Sequence, residues 1–212
     1  MEDEYNRAGR IASPIPLPII KIEMETSDIA TIWLQVPTKL AAEYKPGQYF
    51  MCWNPYDSNG GMSERNHNSE KPYSVGDIMI DTSKIDSKTA ADSGKSGRAL
   101  IGFTIKNLGR QSGDLTKMKC GDWLALRGPF GTTFPAIESS STLLLVSGGI
   151  GSTPMHMAAF AARQKLGSKV VIHAIMGFRN EDETHYVSRM EEVSDTVTIT
   201  TDDGSQGIHG YP

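Results

Sequence analysis

No stretch of this chain approaches the ~18 consecutive apolar residues needed to cross a bilayer. Its opening, MEDEYNRAGR, is too polar for the hydrophobic segment of a secretory leader. The expectation is a cytoplasmic protein with no membrane partner. Cysteine is scarce: Cys52 and Cys120 stand far apart with no C-x-x-C spacing. That argues against a disulfide framework, a zinc or other metal site, and an iron-sulfur cluster ligated within this chain. Surplus positive charge is missing too. A formal net charge of -4 at pH 7 gives no electrostatic reason to expect nucleic acid as a partner. What is present is a 212-residue chain with 38% hydrophobic and 22% charged residues, enough for two ordinary domains that each bury a core.

The chain changes grammar near FPAIESSSTLLLV. Before Glu138 it is a series of short β-rich runs, IIKIEME, TIWLQVP, GQYFMCW, KPYSVGDI, ALIGFTIK and DWLALRG, separated by Gly, Pro, Asn and Asp. Such spacing predicts an antiparallel barrel or sandwich. After Ser141 the order is strand TLLLVS, helix TPMHMAAFAARQKLG, strand KVVIHAIMG, helix EDETHYVSRMEEVS and strand TVTITTDD, which is the signature of a doubly wound parallel sheet with crossover helices. We therefore expect an N-terminal tail over residues 1–15, a β-barrel domain over 16–137 and an α/β domain over 138–212. The α/β half reads as incomplete at its C-terminus, with a sheet face or edge left for a partner to cover. The stretches 54–70 and 81–98 read as loops, the second equally as an extended hairpin tip.

Three elements could carry chemistry. The first, SGGIGSTPM, sets Gly148, Gly149, Ile150, Gly151, Thr153 and Pro154 between a strand and a helix. Glycines there let a pyrophosphate or ribose approach the backbone, while the free amides and the dipole of the helix favour an anion. Close packing with no ligand would explain the same residues, because the spacing is not G-x-G-x-x-G. The second, KPYSV, places Lys71, Pro72, Tyr73 and Ser74 on a strand whose alternation sends Tyr73 to one side and Pro72 and Ser74 to the other. A flat anionic cofactor could use this set, with Lys71 on phosphate, Tyr73 stacking and Ser74 on a ring edge; an ordinary half-buried strand is the alternative. The third, IKNLGRQSGDL, brings Lys106, Gly109, Arg110, Gln111 and Ser112 to a predicted helix start, with Ser112 as cap. It is either a second phosphate site or simply a capped helix.

In this order, with GDWLALRGPFG between the third element and the first, the motifs resemble the ferredoxin-NADP⁺ reductase superfamily of flavin enzymes, over roughly Pro16 to Pro212. Within it, LLLVSGGIGSTPM and TDDGSQGIHG are similar to the electron-transfer subunits of dihydroorotate dehydrogenase and to related subunits of sulfhydrogenases and NADH-dependent ferredoxin:NADP⁺ oxidoreductases. The resemblance implies FAD as cofactor: Lys71 on its pyrophosphate, Tyr73 against the isoalloxazine and Ser74 near N5, these last two being the residues nearest the chemistry, with Gly109 to Ser112 on the diphosphate. It further implies that the turn at Gly148 to Pro154 receives a pyridine nucleotide. Gly177 and Arg179 in GFRNEDE, with Asp202 and Gly204 in TDDGSQGIHG, would line later turns of the same site.

The sequence departs from the family's pattern in three ways. Lys71 stands where Arg is usual and cannot make a forked contact, so Arg65 or Arg127 would have to assist. A late C-G-P element is missing, as is the C-terminal cysteine cluster that would hold a two-iron two-sulfur centre. NAD is expected over NADP, because Arg179 is followed by Glu181, Asp182 and Glu183, which repel a 2′-phosphate. The expected function is that of a flavin-dependent oxidoreductase subunit, passing electrons between NAD(P)H and FAD and onward to a redox partner subunit, an iron-sulfur or flavin protein, in a hetero-oligomer. The alternative is a non-catalytic flavin- or nucleotide-binding scaffold.

Overall fold

In the computed structural model, residues 11–56, 61, 70–80, 98–135, 137 and 142–212 are described. Every β-rich run of the first half becomes a strand of one closed barrel: β1 (Ile11–Met24), β2 (Ile29–Pro37), β3 (Tyr49–Trp53), β4 (Lys71–Ile80), β5 (Arg98–Lys106) and β6 (Trp123–Phe130), in the order β1-β2-β5-β4-β3-β6. Two short helices join them, α1 (Thr38–Glu43) and α2 (Arg110–Thr116). The barrel closes because β1 is long enough to pair twice, with β2 through Ile19 to Met24 and with β6 through Ile11 to Pro18. Pro16 and Pro18 lack an amide to donate, yet sit on the β6 side opposite Ala125 and Trp123. The strand thus begins at Ile11, inside the stretch read as a tail. Alternation sends Ile32, Leu34, Phe50, Cys52, Val75, Ile101, Phe103, Leu124 and Leu126 into the barrel core, all fully buried.

The second half is a parallel sheet of order β10-β9-β8-β7, built from β7 (Thr142–Gly148), β8 (Val171–Phe178), β9 (Thr196–Thr201) and a two-residue β10 (Ile208–His209). Its core already includes Ile137, the last residue assigned to the barrel on sequence grounds. Helix α3 (Ser152–Leu166) lies between the two units. Ala159 and Ala162 face the sheet core, Met157 belongs to the barrel core, and Phe160 touches both. A helix buried on two sides has no need of a single apolar stripe. Leu144, Val146 and Val171 stay exposed on the sheet.

One helix differs from expectation. EDETHYVSRMEEVS is not continuous: a 3₁₀ turn at Glu181–Glu183 is followed, after an interruption, by α4 (Val187–Val193). The break is Tyr186, a non-glycine residue at φ 65°. That left-handed conformation is costly, and here it delivers a 3% exposed ring to the junction between barrel and sheet. The loops at 57–60, 62–69 and 81–97 lie outside the described residues, as does Arg65.

Candidate functional site

The junction is organised around Gly76, at a bulge in β4 between Val75 and Asp77. A Cβ at Gly76 would fall 2.3 Å from the Tyr186 hydroxyl, 2.5 Å from Thr104 Oγ1 and 2.8 Å from Thr153 Cγ2. Only glycine lets these groups meet. Tyr186 and Thr104 share a hydrogen bond of 2.7 Å, and Thr104 contacts Thr31 at 2.9 Å. His156, on α3, donates from Nδ1 to the Gly76 carbonyl at 2.9 Å; a carbonyl can only accept, so this nitrogen carries the proton. Arg189 stacks 4.4 Å above the Tyr186 ring and donates to Glu25 at 2.7 Å and Glu23 at 2.8 Å. Thr153 apart, none of these residues was singled out from the sequence. The lone glycine inside YSVGD was the available signal, since a strand-interior glycine marks a bulge or a close backbone approach.

This junction sets the strand carrying Lys71 to Ser74 beside the turn carrying Gly148 to Pro154. Lys71 and Pro72 are exposed, opposite Cys52 and Met51, and neither Lys71 nor Arg110 forms an ion pair among the described residues. Tyr73 is half-buried and packs on the barrel core. Its phenol is pushed up to about 12 by burial and by the nearby Cys52 thiol, so it stays neutral. Ser74, half-buried opposite Tyr49, has no hydrogen-bond partner among the described residues.

The glycines separate the ligand reading from the packing reading. A glycine is needed where φ is positive or where a Cβ would collide. Gly109 (φ 167°), Gly148 (φ -122°) and Gly151 (φ -64°) meet neither condition: each has a backbone that any residue adopts and nothing within 4 Å of an added Cβ. Among the glycines whose surroundings are described, these three alone are explained by nothing in the chain itself. All three fall in the two elements read as phosphate turns. Between Gly148 and Gly151, Gly149 combines the same open space with φ 50°, and Ile150 completes the 3₁₀ turn. Beyond the turn, Pro154 lies in the first turn of α3. Thr153 Oγ1 is buried without a partner among the described residues, its residue 2% exposed, an unsatisfied hydroxyl of the kind a ligand answers.

Other expected site residues stand differently. Ser112 is not the cap of α2: Gly109 is, and Ser112 sits inside the helix, accepting from the Leu108 amide at 2.9 Å and donating to the Gly109 carbonyl at 3.2 Å. It shapes the Gly109 turn instead. Gln111 is half-buried beside it. Lys106 is engaged across the junction, 2.7 Å from Glu183 and 3.7 Å from Asp28, so its charge is already answered within the chain. Arg127 donates twice to Glu70, at 3.0 and 2.8 Å. Gly177 is required by packing, because a Cβ there would lie 2.5 Å from Pro212 Cδ. Gly204, at φ 75°, is required by its turn. Arg179 is largely exposed and 3.6 Å from Glu183, and Asp202 is exposed. No group of three or more His, Cys, Asp or Glu side chains able to hold a metal occurs among the described residues, and no described helix is long and apolar enough to cross a membrane.

No protein-family model matches the chain. Among curated proteins, the probable dihydroorotate dehydrogenase B (NAD⁺) electron transfer subunit of Pyrococcus horikoshii is 33% identical over 170 residues, covering 80% of this chain and 52% of that protein. Its counterpart in Methanocella arvoryzae is 28% identical over 198 residues, 93% of this chain and 61% of that one. Among solved structures, an NADH-dependent reduced ferredoxin-NADP oxidoreductase studied for flavin-based electron bifurcation superposes with a TM-score of 0.66 at 25% identity, over 92% of this chain and 59% of that one. The chain shares the fold of these ferredoxin-NADP⁺ reductase-like proteins. Its likeness to the FAD/NAD-binding domain of nitric oxide dioxygenase from Vibrio cholerae, with a TM-score of 0.67 at 16% identity over 94% of this chain and 80% of that one, extends to the fold alone. The chain spans about half the length of the curated relatives it matches first.

Proposed function

We propose that this chain is the flavin- and pyridine-nucleotide-binding part of an electron-transfer subunit. The observation that carries the reading is the set Gly109, Gly148 and Gly151, whose missing side chains leave space that no described residue fills. FAD fits the barrel side. Lys71 and Arg110 carry charges that no described residue pairs, Arg110 next to the open Gly109 turn, while Tyr73 offers a half-buried aromatic face and Ser74 a hydroxyl with no partner among the described residues. A dinucleotide fits the other side, on the open turn at Gly148 to Gly151, with Thr153 aimed toward the junction. NAD suits this site better than NADP, because Glu181 and Asp182 remain beside Arg179 while Glu183 already answers it.

A bound flavin supplies two-electron acceptance from a nicotinamide and one-electron release to a partner. The chain's own task is geometric. Gly76 brings β4 and the start of α3 together, so that rings held by Tyr73 and by the Thr153 turn can meet face to face with water excluded. The onward acceptor is a redox subunit in the same assembly, an iron-sulfur or flavin protein. The relatives' names favour an assembly that oxidises dihydroorotate, in pyrimidine biosynthesis, and we place it in the cytoplasm. Equilibrium dialysis tests the flavin site: the native chain retains FAD near one per chain, and Tyr73→Ala with Arg110→Ala loses most of it. Undiminished FAD in that double variant would remove the barrel face from the site.

A further inference from the structure

Beneath the glycine turn lies a hydrogen-bond chain that the proposed function does not use. Ser152, the first residue of α3, is fully buried, and its Oγ donates to the Gly149 carbonyl at 2.9 Å. The same Oγ lies 3.2 Å from His185 Nε2. His185 Nδ1 lies 2.8 Å from the Glu183 carbonyl, and a carbonyl only accepts, so Nδ1 holds a hydrogen in every state. Ser152 has one hydrogen and two claimants. If His185 is neutral, Nε2 is an acceptor and competes with the Gly149 carbonyl for it. If His185 is protonated, Nε2–H donates to Oγ, and the serine hydrogen goes wholly to Gly149.

We propose that His185 is a positioning residue for the dinucleotide turn, acting through Ser152: its protonation fixes the serine hydrogen on the Gly149 carbonyl and so rigidifies the loop that receives the nucleotide. One proton enters on Nε2, the serine hydrogen that was divided between Nε2 and the carbonyl oxygen settles on the carbonyl, and no other bond changes. The proton has a route. His185 is 4% exposed, yet it lines a cleft of about 840 Å³ shared with Glu25, Glu181, Thr184, Arg189 and Gln206. Glu25 and Asp28, from the end of β1 and the turn after it, favour the cation, while Lys106 on β5 opposes it. The Phe178 and Tyr186 rings stand edge-on to the imidazole at 5.2 and 6.0 Å. Burial holds His185 below the ordinary histidine range, which places the change on the acid side of about 6.5.

The inference rests on the nucleotide reading of the turn, so its test has one readout with ligand and one without. On isotopically labelled native protein, the Gly149 carbonyl shift and the His185 ring-nitrogen shifts are followed from pH 5 to 8, and NADH affinity is measured at the same pH values by fluorescence. We expect the carbonyl to titrate with the His185 midpoint, and NADH to bind about three- to tenfold tighter below it, the scale of one hydrogen bond. In Ser152→Ala the imidazole should still titrate while the carbonyl response vanishes and the affinity change shrinks; in His185→Gln both should be flat. A Gly149 carbonyl that ignores His185, or an affinity change undiminished in Ser152→Ala, would overturn the proposal. Absence of NADH binding at every pH would refute the nucleotide reading, while the carbonyl titration would still judge the relay.

Discussion

Replacing Gly151 by Ala should make this protein more stable and less able to bind nucleotide. The residue has φ -64° and ψ -16°, an ordinary helical conformation, and an added methyl would meet nothing within 4 Å. On the folded side the substitution is therefore free of strain, and it reduces the freedom of the unfolded chain, a gain of about 0.4–1 kcal/mol. For a chain of this size that corresponds to a rise in Tm of roughly 1–4 °C. Gly148→Ala, extended at φ -122° and equally uncrowded, should not destabilise either. If the open space is where a dinucleotide lies against the backbone, the same methyl groups occupy ligand volume. NADH affinity should then fall at least about tenfold, or 1.4 kcal/mol. The assays are thermal unfolding without nucleotide and fluorescence titration with NADH. The reasoning fails if either variant is destabilised by more than about 1 kcal/mol, which would reveal a packing role, or if both bind NADH as the native protein does.

The remaining predictions follow from the junction and its histidines. Gly76→Ala places a methyl 2.3 Å from the Tyr186 hydroxyl and 2.5 Å from Thr104 Oγ1; overpacking with a lost buried hydrogen bond should cost about 2–4 kcal/mol in urea unfolding, and native stability in this variant would contradict the junction. The protein should also lose stability in mild acid. Burial holds His156 and His185 below the ordinary histidine range, so the unfolded chain takes up protons that the folded chain refuses, and this contribution is complete above about pH 6.5 and lost as the pH falls through the folded values. Asp77, raised by its own burial, opposes the trend. Urea midpoints should therefore fall from pH 7.5 to 5.5, less steeply in His156→Gln, and a midpoint that rises toward acid would refute this balance.

Strand identity was legible because alternation and punctuation are local: the cores of all six barrel strands stand in the sequence as β-rich runs bounded by Gly, Pro, Asn or Asp. β1 is where locality ran out, since residues 11–15 read as a tail and only pairing with β6, from Ile11 opposite Gly128 to Pro18 opposite Trp123, makes them part of the strand. EDETHYVSRMEEVS misled for a related reason. Its composition suits a helix, but Tyr186 is pulled into the left-handed region by partners on another strand. At the candidate site the glycine turns were visible and the glue was not. Gly76 and Thr104 lie far in sequence from each other and from Tyr186 and Arg189, and nothing local reveals that they meet. Lys106 shows the converse, a cation at a suggestive position whose charge is answered by Glu183 on the other unit.

The most direct test of the account is an absorption spectrum of the purified protein loaded with FAD, recorded between 300 and 600 nm before and after anaerobic NADH. The account predicts flavin bands at roughly 375 and 450 nm that bleach when NADH is added, since it places the flavin on the Tyr73 strand and NADH on the Gly148–Gly151 turn, two elements that Gly76 packs together through Thr153. Bands that persist unchanged while NADH is shown to bind would contradict it, since both ligands would then be held without the junction bringing them together.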